Sequence, residues 1–166
     1  MTELNGMDVV ELTGFVASVA SDPSKADRDP VVVARWTSGD GAEVTSVSDG
    51  LTIRVGGDGA PSAMRVVLMA LAACDVDVVA TRASLLGIEI ESLRVEATGH
   101  FNVQRYLGLD AEEGPGYQSV AYTVHVRTRG GRPEQIAELR RACEEASPVG
   151  DTLQRRVALR MEFDGA

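Results

Sequence analysis

The stretch that decides the fold is SAMRVVLMALAACDVDVVATRASLLG, residues 62–87. Ser62 is a favourable N-cap residue, and Gly87 is the residue type that most often follows the end of a helix. From Val66 to Cys74 every residue is apolar or small, so the predicted helix has no polar face there. A helix that is apolar on all sides is normally covered on several of them, which predicts a buried central helix.

A membrane-spanning helix is the alternative explanation for so apolar a segment. Asp75 and Asp77 interrupt the apolar run, and Arg65 and Arg82 flank it. The uninterrupted part is much shorter than the roughly 20 residues that cross a bilayer. The segment is therefore expected to be a core helix.

The two aspartates, Asp75 and Asp77, are expected to point away from Cys74 or to pair with Arg82, because a negative charge beside a thiol disfavours the thiolate.

Composition excludes several functional classes. The chain has 166 residues and a formal net charge of -9, which suits one domain with a real core and argues against nucleic acid or an anionic membrane as partner. The first residues are neither basic nor followed by a clean apolar run, so no signal peptide is expected. Two distant cysteines then indicate reduced thiols in a cytoplasmic protein. No metal-ligand spacing is visible, and no metal or cofactor is expected.

Outside the central helix the pattern predicts a peripheral helix, several strands and two further helical segments. The first helix is expected over 7–21, and the later segments begin at Pro133 and Ser147. Strands are expected at 31–37, 43–47, 51–55, 88–100, 117–129 and 157–163. The strand at 51–55 is expected to be half-buried, and Trp36 to pack in the core or an interface. This order, α-βββ-α-ββ-α-β, is typical of an α+β fold with antiparallel sheets.

The residues around Cys74 carry a family resemblance. GGDGAPSAMRVVLMALAAC, residues 56–74, is similar to the signature around the reactive cysteine of the OsmC/Ohr family of osmotically induced and organic-hydroperoxide-resistance proteins. GHFNVQRYLGLD at 99–110, GYQ at 116–118 and SPV at 147–149 extend the resemblance in the same order.

The resemblance implies an OsmC-like fold of class α+β. In that fold an intertwined homodimer forms, with central helices wrapped by antiparallel β-sheets and each active site at the subunit interface. It also implies a division into an N-terminal helical extension, 1–28, and a single OsmC-like domain, 29–166. The lack of a polar face over 66–74 agrees with a helix that a single chain does not fully cover.

Three residues decide how far the family chemistry applies. Cys74 takes the position of the peroxide-reducing cysteine, although a lone cysteine on such a helix also fits simple core packing. Ser147 stands where the best-characterised peroxidases of the family have a resolving cysteine, so a disulfide cannot form there. Cys143, one helical turn earlier, is either a displaced resolving thiol or a packing residue, and packing is the preferred interpretation.

A peroxide-reducing cysteine needs a nearby cation, because the thiolate is the nucleophile. Cys74 is too far along its helix for the helix dipole to help, since that effect fades within the first turn. In the family the activating arginine comes from the N-terminal sheet, which implies Arg35 or Arg54. The acidic residue that orders this arginine would align with Met64 or Arg65, and neither is acidic.

Two functions therefore remain open from the sequence. The first is a thiol-dependent peroxidase that reduces organic hydroperoxides with Cys74 and an external thiol reductant. The second is a non-catalytic OsmC-like dimer that binds an apolar small molecule in the same pocket. Retention of the cysteine within its motif favours the first, whereas Ser147 and the missing acid favour the second.

Overall fold

The computed structural model describes residues 3–165, and the α+β class that the sequence predicts is confirmed. Its strand pairs are all antiparallel: β1 with β2, β3 with β4 and β4 with β5, and β6 with β7. In chain order the elements are β1 (Glu3–Leu4), β2 (Met7–Asp8), α1 (Val9–Ser21), β3 (Val32–Ser38), β4 (Gly41–Ser46), β5 (Thr52–Val55), α2 (Ala63–Leu85), β6 (Glu89–Phe101), β7 (Tyr117–Arg129), α3 (Pro133–Ala146) and α4 (Pro148–Gln154).

The ends of α2 lie where the sequence predicts them. Ser62 caps the first turn, because its side chain accepts a hydrogen bond from the Arg65 N–H at 3.4 Å. At the other end Gly87 has a φ of 69°, and the Ile88 N–H donates to the Ala83 carbonyl at 2.8 Å. This six-to-one bond over a left-handed glycine is the Schellman motif. Ile88 and Ala83 are both buried in one apolar cluster, which supplies the hydrophobic contact that usually accompanies it.

One face of α2 forms the core of the chain. Leu71, Asp75, Val79 and Ala83 recur at four-residue spacing, and each is almost completely buried. The β6–β7 hairpin packs on this face with its inward side chains, which alternate with exposed polar ones along both strands, as the sequence predicts. Helix α3 packs beside the hairpin and covers the rest of the stripe.

The opposite face of α2 is not covered by the described chain, as the sequence predicts for a helix that a single chain does not fully cover. Met69 is 55% exposed and Val76 is 38% exposed. The physical reason is that the described chain packs the β6–β7 hairpin, α3, α4 and α1 on the other sides of α2 and leaves this face open. The described part of the chain has no helix that is long and apolar enough to cross a membrane.

The β3–β4–β5 sheet has one apolar and one polar face. Residues in register across an antiparallel ladder share a face, so Ala34, Val44 and Ile53 lie on one side. Arg35, Glu43 and Arg54 lie on the other. The strand predicted at 51–55 is present as β5, but its expected half-burial is wrong for the described chain. No other element of residues 3–165 packs firmly on the sheet, and Ile53 remains 44% exposed.

The predicted last strand, 157–163, is also wrong for this chain. These residues form no strand within the described range, and Leu159, Met161 and Phe163 are each more than four-fifths exposed. Alternation of apolar and polar residues favours a strand only if a neighbouring backbone completes the ladder. In the part of the chain that the structure describes, no strand lies beside the segment.

A short hairpin at the N-terminus was not evident from the sequence. Asn5, at a φ of 54°, turns β1 back into β2 and binds the far end of α2. Its amide donates to the Ile88 carbonyl at 2.9 Å and accepts from the Ile90 N–H at 2.8 Å. Asp8 then caps α1 through the N–H groups of the first turn. The peripheral helix therefore begins at Val9, two residues later than predicted.

Candidate functional site

Cys74 lies midway along α2, in an open groove of about 480 Å³. The groove is bounded by α1, by α2 and by the junction of α3 and α4. Its walls are mainly apolar; the lining residues besides Cys74 are Leu12, Phe15, Val16, Val19, Ala26, Asp77, Val78, Thr81, Arg82, Leu85, Ala146 and Pro148. Since Cys74 is partly exposed, a small molecule in the groove can reach its sulfur.

Ser147 is the hydrogen-bond partner of Cys74. Its Oγ donates to the Cys74 Sγ at 3.6 Å, and it also accepts from the Gly150 N–H at 3.1 Å as the N-cap of α4. The side chain is 4% exposed, so it is fixed in place. Pro148 at the first helical position favours this cap, because its missing N–H needs no partner there.

The two aspartates that follow Cys74 have different environments. Asp75 is completely buried, and neither carboxylate oxygen has a hydrogen-bond donor at ordinary length within the described chain. Asp77 is exposed in the groove and accepts a bond from the Thr81 hydroxyl at 3.5 Å. Within residues 3–165 neither forms an ion pair with Arg82. Of the two alternatives expected, pairing with Arg82 is wrong. Asp75 points away from the groove into the core, as the other alternative expects, whereas Asp77 lines the same groove as Cys74 and bonds within its own turn.

The arginines proposed from the sequence lie outside the groove. Arg35 and Arg54 are both in register with Glu43 on the polar face of the β3–β5 sheet, and all three are exposed. Arg65 is exposed in the first turn of α2. Instead, the groove itself contains the guanidinium-bearing Arg82, two helical turns after Cys74. Sequence reasoning had considered Arg82 only as a partner of the aspartates.

Cys143 lies in a different cavity from Cys74. It lines a space of about 460 Å³ between α3 and β7, together with Tyr122 and Val79. Its side chain is 8% exposed. Burial, with smaller contributions from the negative charges of Asp75 and Glu144, raises the pKa of the Cys143 thiol to about 11. The structure therefore favours the packing interpretation of Cys143, and both cysteines are free thiols.

The Asp75 carboxylate also affects an aromatic neighbour. Burial first, and the charge of Asp75 second, raise the pKa of the Tyr122 phenol.

Trp36 is not in the core: it is 76% exposed, and its Nε1–H donates to the Gly39 carbonyl at 2.9 Å. Its expected place in a core is wrong for this chain, because it lies on the uncovered apolar face of the β3–β5 sheet.

Sequence reasoning missed the contribution of α1 to the groove. Leu12, Phe15, Val16 and Val19 all line it, and their spacing of three, four and seven residues marks one helical face. That spacing is visible in the sequence, but nothing in the sequence indicates that this face of α1 meets the cysteine rather than solvent.

In the described part of the chain no cluster of His, Cys, Asp and Glu side chains could hold a metal ion.

Comparison with known proteins supports the family resemblance. A family model described as OsmC-like protein matches residues 56–162. The matched range contains all of α2, the β6–β7 hairpin and the α3–α4 junction, and thus both Cys74 and Ser147. Among curated proteins, none matches the sequence significantly.

Solved structures with this fold come from several bacteria. An OsmC-like protein from Mycoplasma pneumoniae has a TM-score of 0.64 at 17% identity, over 77% of this chain and 89% of that one. An OsmC-like protein of unknown function from Vibrio cholerae gives 0.62 at 12% identity, over 76% and 94%. An organic hydroperoxide resistance protein from Elizabethkingia anophelis gives 0.55 at 16% identity, over 78% and 91%. Identities this low establish a shared fold and leave the activity to be argued from the site.

Proposed function

Because this chain belongs to the OsmC-like protein family, we propose that it is a thiol-dependent peroxidase that reduces organic hydroperoxides through Cys74. The observation that carries the proposal is the environment of the sulfur. Cys74 is accessible from an apolar groove, and the Ser147 hydroxyl donates to its Sγ at 3.6 Å. A reactive cysteine must be accessible to its substrate. The groove provides this access, and the Ser147 hydroxyl is a polar partner in contact with the sulfur.

The reaction begins with attack of the Cys74 thiolate on the terminal oxygen of the hydroperoxide. The O–O bond breaks, an S–O bond forms, and the alkoxide leaves and takes a proton, which gives an alcohol and a sulfenic acid. An external thiol then displaces water to form a mixed disulfide. A second external thiol releases Cys74 and leaves as a disulfide. In sum, one hydroperoxide and two thiols give one alcohol, one water and one disulfide.

An external reductant is required because Ser147 cannot act as a resolving residue. Its oxygen is hydrogen-bonded to the Cys74 sulfur, but a hydroxyl does not displace water from a sulfenic acid to give a disulfide. Cys143 lines a different cavity and is a protonated thiol at neutral pH, since its pKa is raised to about 11. The thiolate is the attacking species in thiol exchange, so Cys143 is a poor substitute.

We also propose that the active unit is a homodimer in the cytoplasm. The family resemblance supports it, as do the uncovered apolar faces of α2 and of the β3–β5 sheet. In this proposal residues 1–28 are an N-terminal extension and 29–166 the OsmC-like domain. The activating cation is then Arg35 or Arg54 from the partner's sheet, with Arg82 of the same chain as the alternative inside the groove.

A second candidate function is an OsmC-like dimer that binds an apolar small molecule without chemistry. The observation that favours it is that Arg82, two helical turns from Cys74, is the single arginine or lysine among the residues that line the groove, whose walls are mainly apolar. The two candidates differ in one measurable property, the reaction rate of Cys74 with a hydroperoxide.

The test is a steady-state assay of cumene hydroperoxide consumption with dithiothreitol as reductant. We expect wild type to turn over and Cys74→Ser to lose activity by at least about 100-fold, because the nucleophile is removed. Cys143→Ala is the matched control, and we expect it to keep activity within about twofold. Equal rates for wild type and Cys74→Ser would refute the peroxidase and leave the binding function.

A further inference from the structure

We propose that the cavity between α3 and β7 (the α3–β7 cavity) binds a small primary amine with an apolar body, and that the buried carboxylate of Asp75 holds the ammonium group of this amine. The site is separate from the groove beside Cys74, because none of the described residues lines both spaces. The inference concerns binding and does not rest on the proposed peroxidase.

The α3–β7 cavity has the size and the walls of a small-molecule site. Its volume of about 460 Å³ lies within the range of ligand pockets. Branched aliphatic side chains from α2, β7 and α3 form most of its walls: Val79, Val124, Val126, Ile136 and Leu139. These side chains carry no polar atoms, so they favour a ligand whose body is apolar as well.

Asp75 lies beside this cavity, behind the Tyr122 side chain. Leu71, Asp75 and Val79 follow one another at four-residue spacing on the covered face of α2. Val79 lines the α3–β7 cavity, Leu71 lines the next cavity along β7, and Tyr122 lines both. Tyr122 also lies near the Asp75 carboxylate. The carboxylate is therefore between the two cavities, and the tyrosine side chain covers it.

The carboxylate of Asp75 lacks the partner that a buried charged group needs. Asp75 is completely buried, and within residues 3–165 neither of its oxygens accepts a hydrogen bond at ordinary length. A carboxylate is among the costliest groups to bury, and buried ones are normally paired. Residues that cost the fold stability in this way are found mainly at functional sites. Asp75 therefore suits a ligand that brings a positive charge and hydrogen-bond donors.

The charges around the cavity favour a cation over an anion. Arg140 Nε lies 3.0 Å from Glu144 Oε1, so these two exposed charges offset each other. Burial first, and then the negative charges of Asp75 and Glu144, raise the pKa of the Cys143 thiol in the cavity wall to about 11. A primary amine is protonated at neutral pH, as a lysine side chain is, and its ammonium group only donates hydrogen bonds.

The amine reaches Asp75 when the Tyr122 side chain moves aside. The cavity on the far side of this side chain has a volume of about 440 Å³ and gives it room to turn. Changes of side-chain rotamer are common when a partner binds. The ammonium group then contacts the carboxylate, while the apolar body stays among the aliphatic walls of the α3–β7 cavity.

The experiment is isothermal titration calorimetry with hexylamine at neutral pH. Hexanol and hexanoic acid are the neutral and anionic probes of the same chain length. We expect hexylamine to bind most tightly and hexanoic acid most weakly, because Asp75 attracts the first and repels the second. Asp75→Asn should weaken hexylamine by at least about 30-fold, since one partner of a buried charge pair is lost. It should change hexanol by less than about twofold.

Matched variants test the charge and the wall separately. Asp77→Asn makes the same change two residues further along α2, but Asp77 lines the groove beside Cys74, so hexylamine binding should stay within about twofold. Val124→Ala should weaken hexylamine and hexanol alike, by about 10-fold, because apolar contact area is lost. Val120→Ala alters the same face of β7 at the other cavity and should change neither.

The thiol of Cys143 reports where the ligand binds. In a Cys74→Ser background Cys143 is the only thiol of the chain, and it lines the α3–β7 cavity. Hexylamine should slow the reaction of Cys143 with dithiodipyridine in proportion to the fraction of protein that is occupied. This measurement tests the site even if Asp75→Asn does not fold.

Four results would overturn the inference: no binding of hexylamine, tighter binding of hexanoic acid, a larger loss in Asp77→Asn than in Asp75→Asn, or unchanged Cys143 reactivity at saturating hexylamine. Binding as described, by a wild type that does not consume cumene hydroperoxide, would refute the proposed peroxidase and leave this site. Turnover without amine binding would refute this site and leave the peroxidase.

Discussion

The replacement of a thiol by a hydroxyl at residue 147 changes the second half of the proposed reaction and not the first. Ser147 Oγ lies 3.6 Å from Cys74 Sγ, so the side chain can donate a hydrogen bond to the sulfur. It cannot protect the sulfenic acid that follows by forming a disulfide. Cys74 would therefore stay exposed to over-oxidation until a thiol arrives from solution.

The geometry predicts that Ser147→Cys creates a resolving thiol. The two side chains already touch, and a disulfide needs Cα atoms within about 7 Å. After treatment with one equivalent of hydroperoxide, we expect mass spectrometry of the digested variant to show a disulfide-linked peptide that joins Cys74 to the new thiol at position 147.

Ser147→Ala, which offers neither a thiol nor a hydroxyl, is the control and should give no linked peptide. A Cys74–Cys143 linked peptide in the wild type would contradict the assignment of Cys143 to packing, and would identify it as the resolving thiol instead.

At the scale of the element, the covered face of α2 contains one residue that does not fit its surroundings. Leu71 and Val79 pack on the β6–β7 hairpin, and Asp75, midway between them, is equally buried. Tyr122 lies near its carboxylate, and no described residue donates a hydrogen bond to it at ordinary length. A buried carboxylate that lacks donors lowers the stability of the folded state. Its charge also contributes to the raised pKa values of Cys143 and Tyr122, second to burial for each.

We expect Asp75→Asn to stabilise the fold by about 1–3 kcal/mol, because an amide costs less to bury than a carboxyl group without a close donor. The measurement is the free energy of unfolding from urea titration at neutral pH. Asp77→Asn is the matched control two residues along the same helix: its carboxylate is exposed, so its effect should be within about 0.5 kcal/mol. A loss of stability in Asp75→Asn would show that an unseen donor satisfies the carboxylate.

The same pair of variants tests the pKa of Cys143 through the pH dependence of stability. The thiol ionises near about 8.5 in the unfolded chain and at about 11 in the folded one. Between these values the folded state binds more protons, so the free energy of unfolding falls as pH rises from about 8.5 to about 11. Asp75→Asn should lower the folded pKa and reduce this fall, whereas Asp77→Asn should not. An equal fall in all three proteins would exclude an effect of Asp75 on Cys143.

At the scale of the whole molecule, three apolar surfaces of one chain remain uncovered. They are the outer face of α2, the apolar face of the β3–β5 sheet and the C-terminal segment 157–163. Met69, Trp36 and Leu159, one from each, are all more than half exposed. Monomeric proteins rarely leave large apolar surfaces in water. A second copy of the chain offers the same surfaces in symmetric form, which allows a closed dimer.

We therefore expect light scattering to give about twice the chain mass of 17.6 kDa at micromolar concentration. Val76→Asp places a charge on the outer face of α2 and should shift the protein towards monomer, since a buried unpaired charge opposes association. Ser92→Asp, which adds the same charge on an exposed position of β6, should leave the mass unchanged. A stable wild-type monomer would contradict the expectation.

Features that depend on neighbouring residues could be determined from the sequence alone. The Ser62 cap and Gly87 fix the ends of α2 because capping is a contact between residues three to five apart. The alternation in β7 predicts that strand at the bounds the structure has, 117–129, because its partner β6 is also in the chain. The family motif then identified Cys74 and position 147 before any contact between them was known.

Only the tertiary structure decided which of two similar residues is buried and which segments meet. Asp75 and Asp77 are identical in chemistry and close together on one helix, yet one faces the hairpin and the other the groove. The approach of α1 to Cys74 depends on the anchoring of Asn5, more than 80 residues away from Ile88 in the chain. The segment 157–163 has the pattern of a strand and lacks a backbone to pair with among the described residues. In each case the deciding contact is made by residues distant in sequence, and the local pattern carries no information about them.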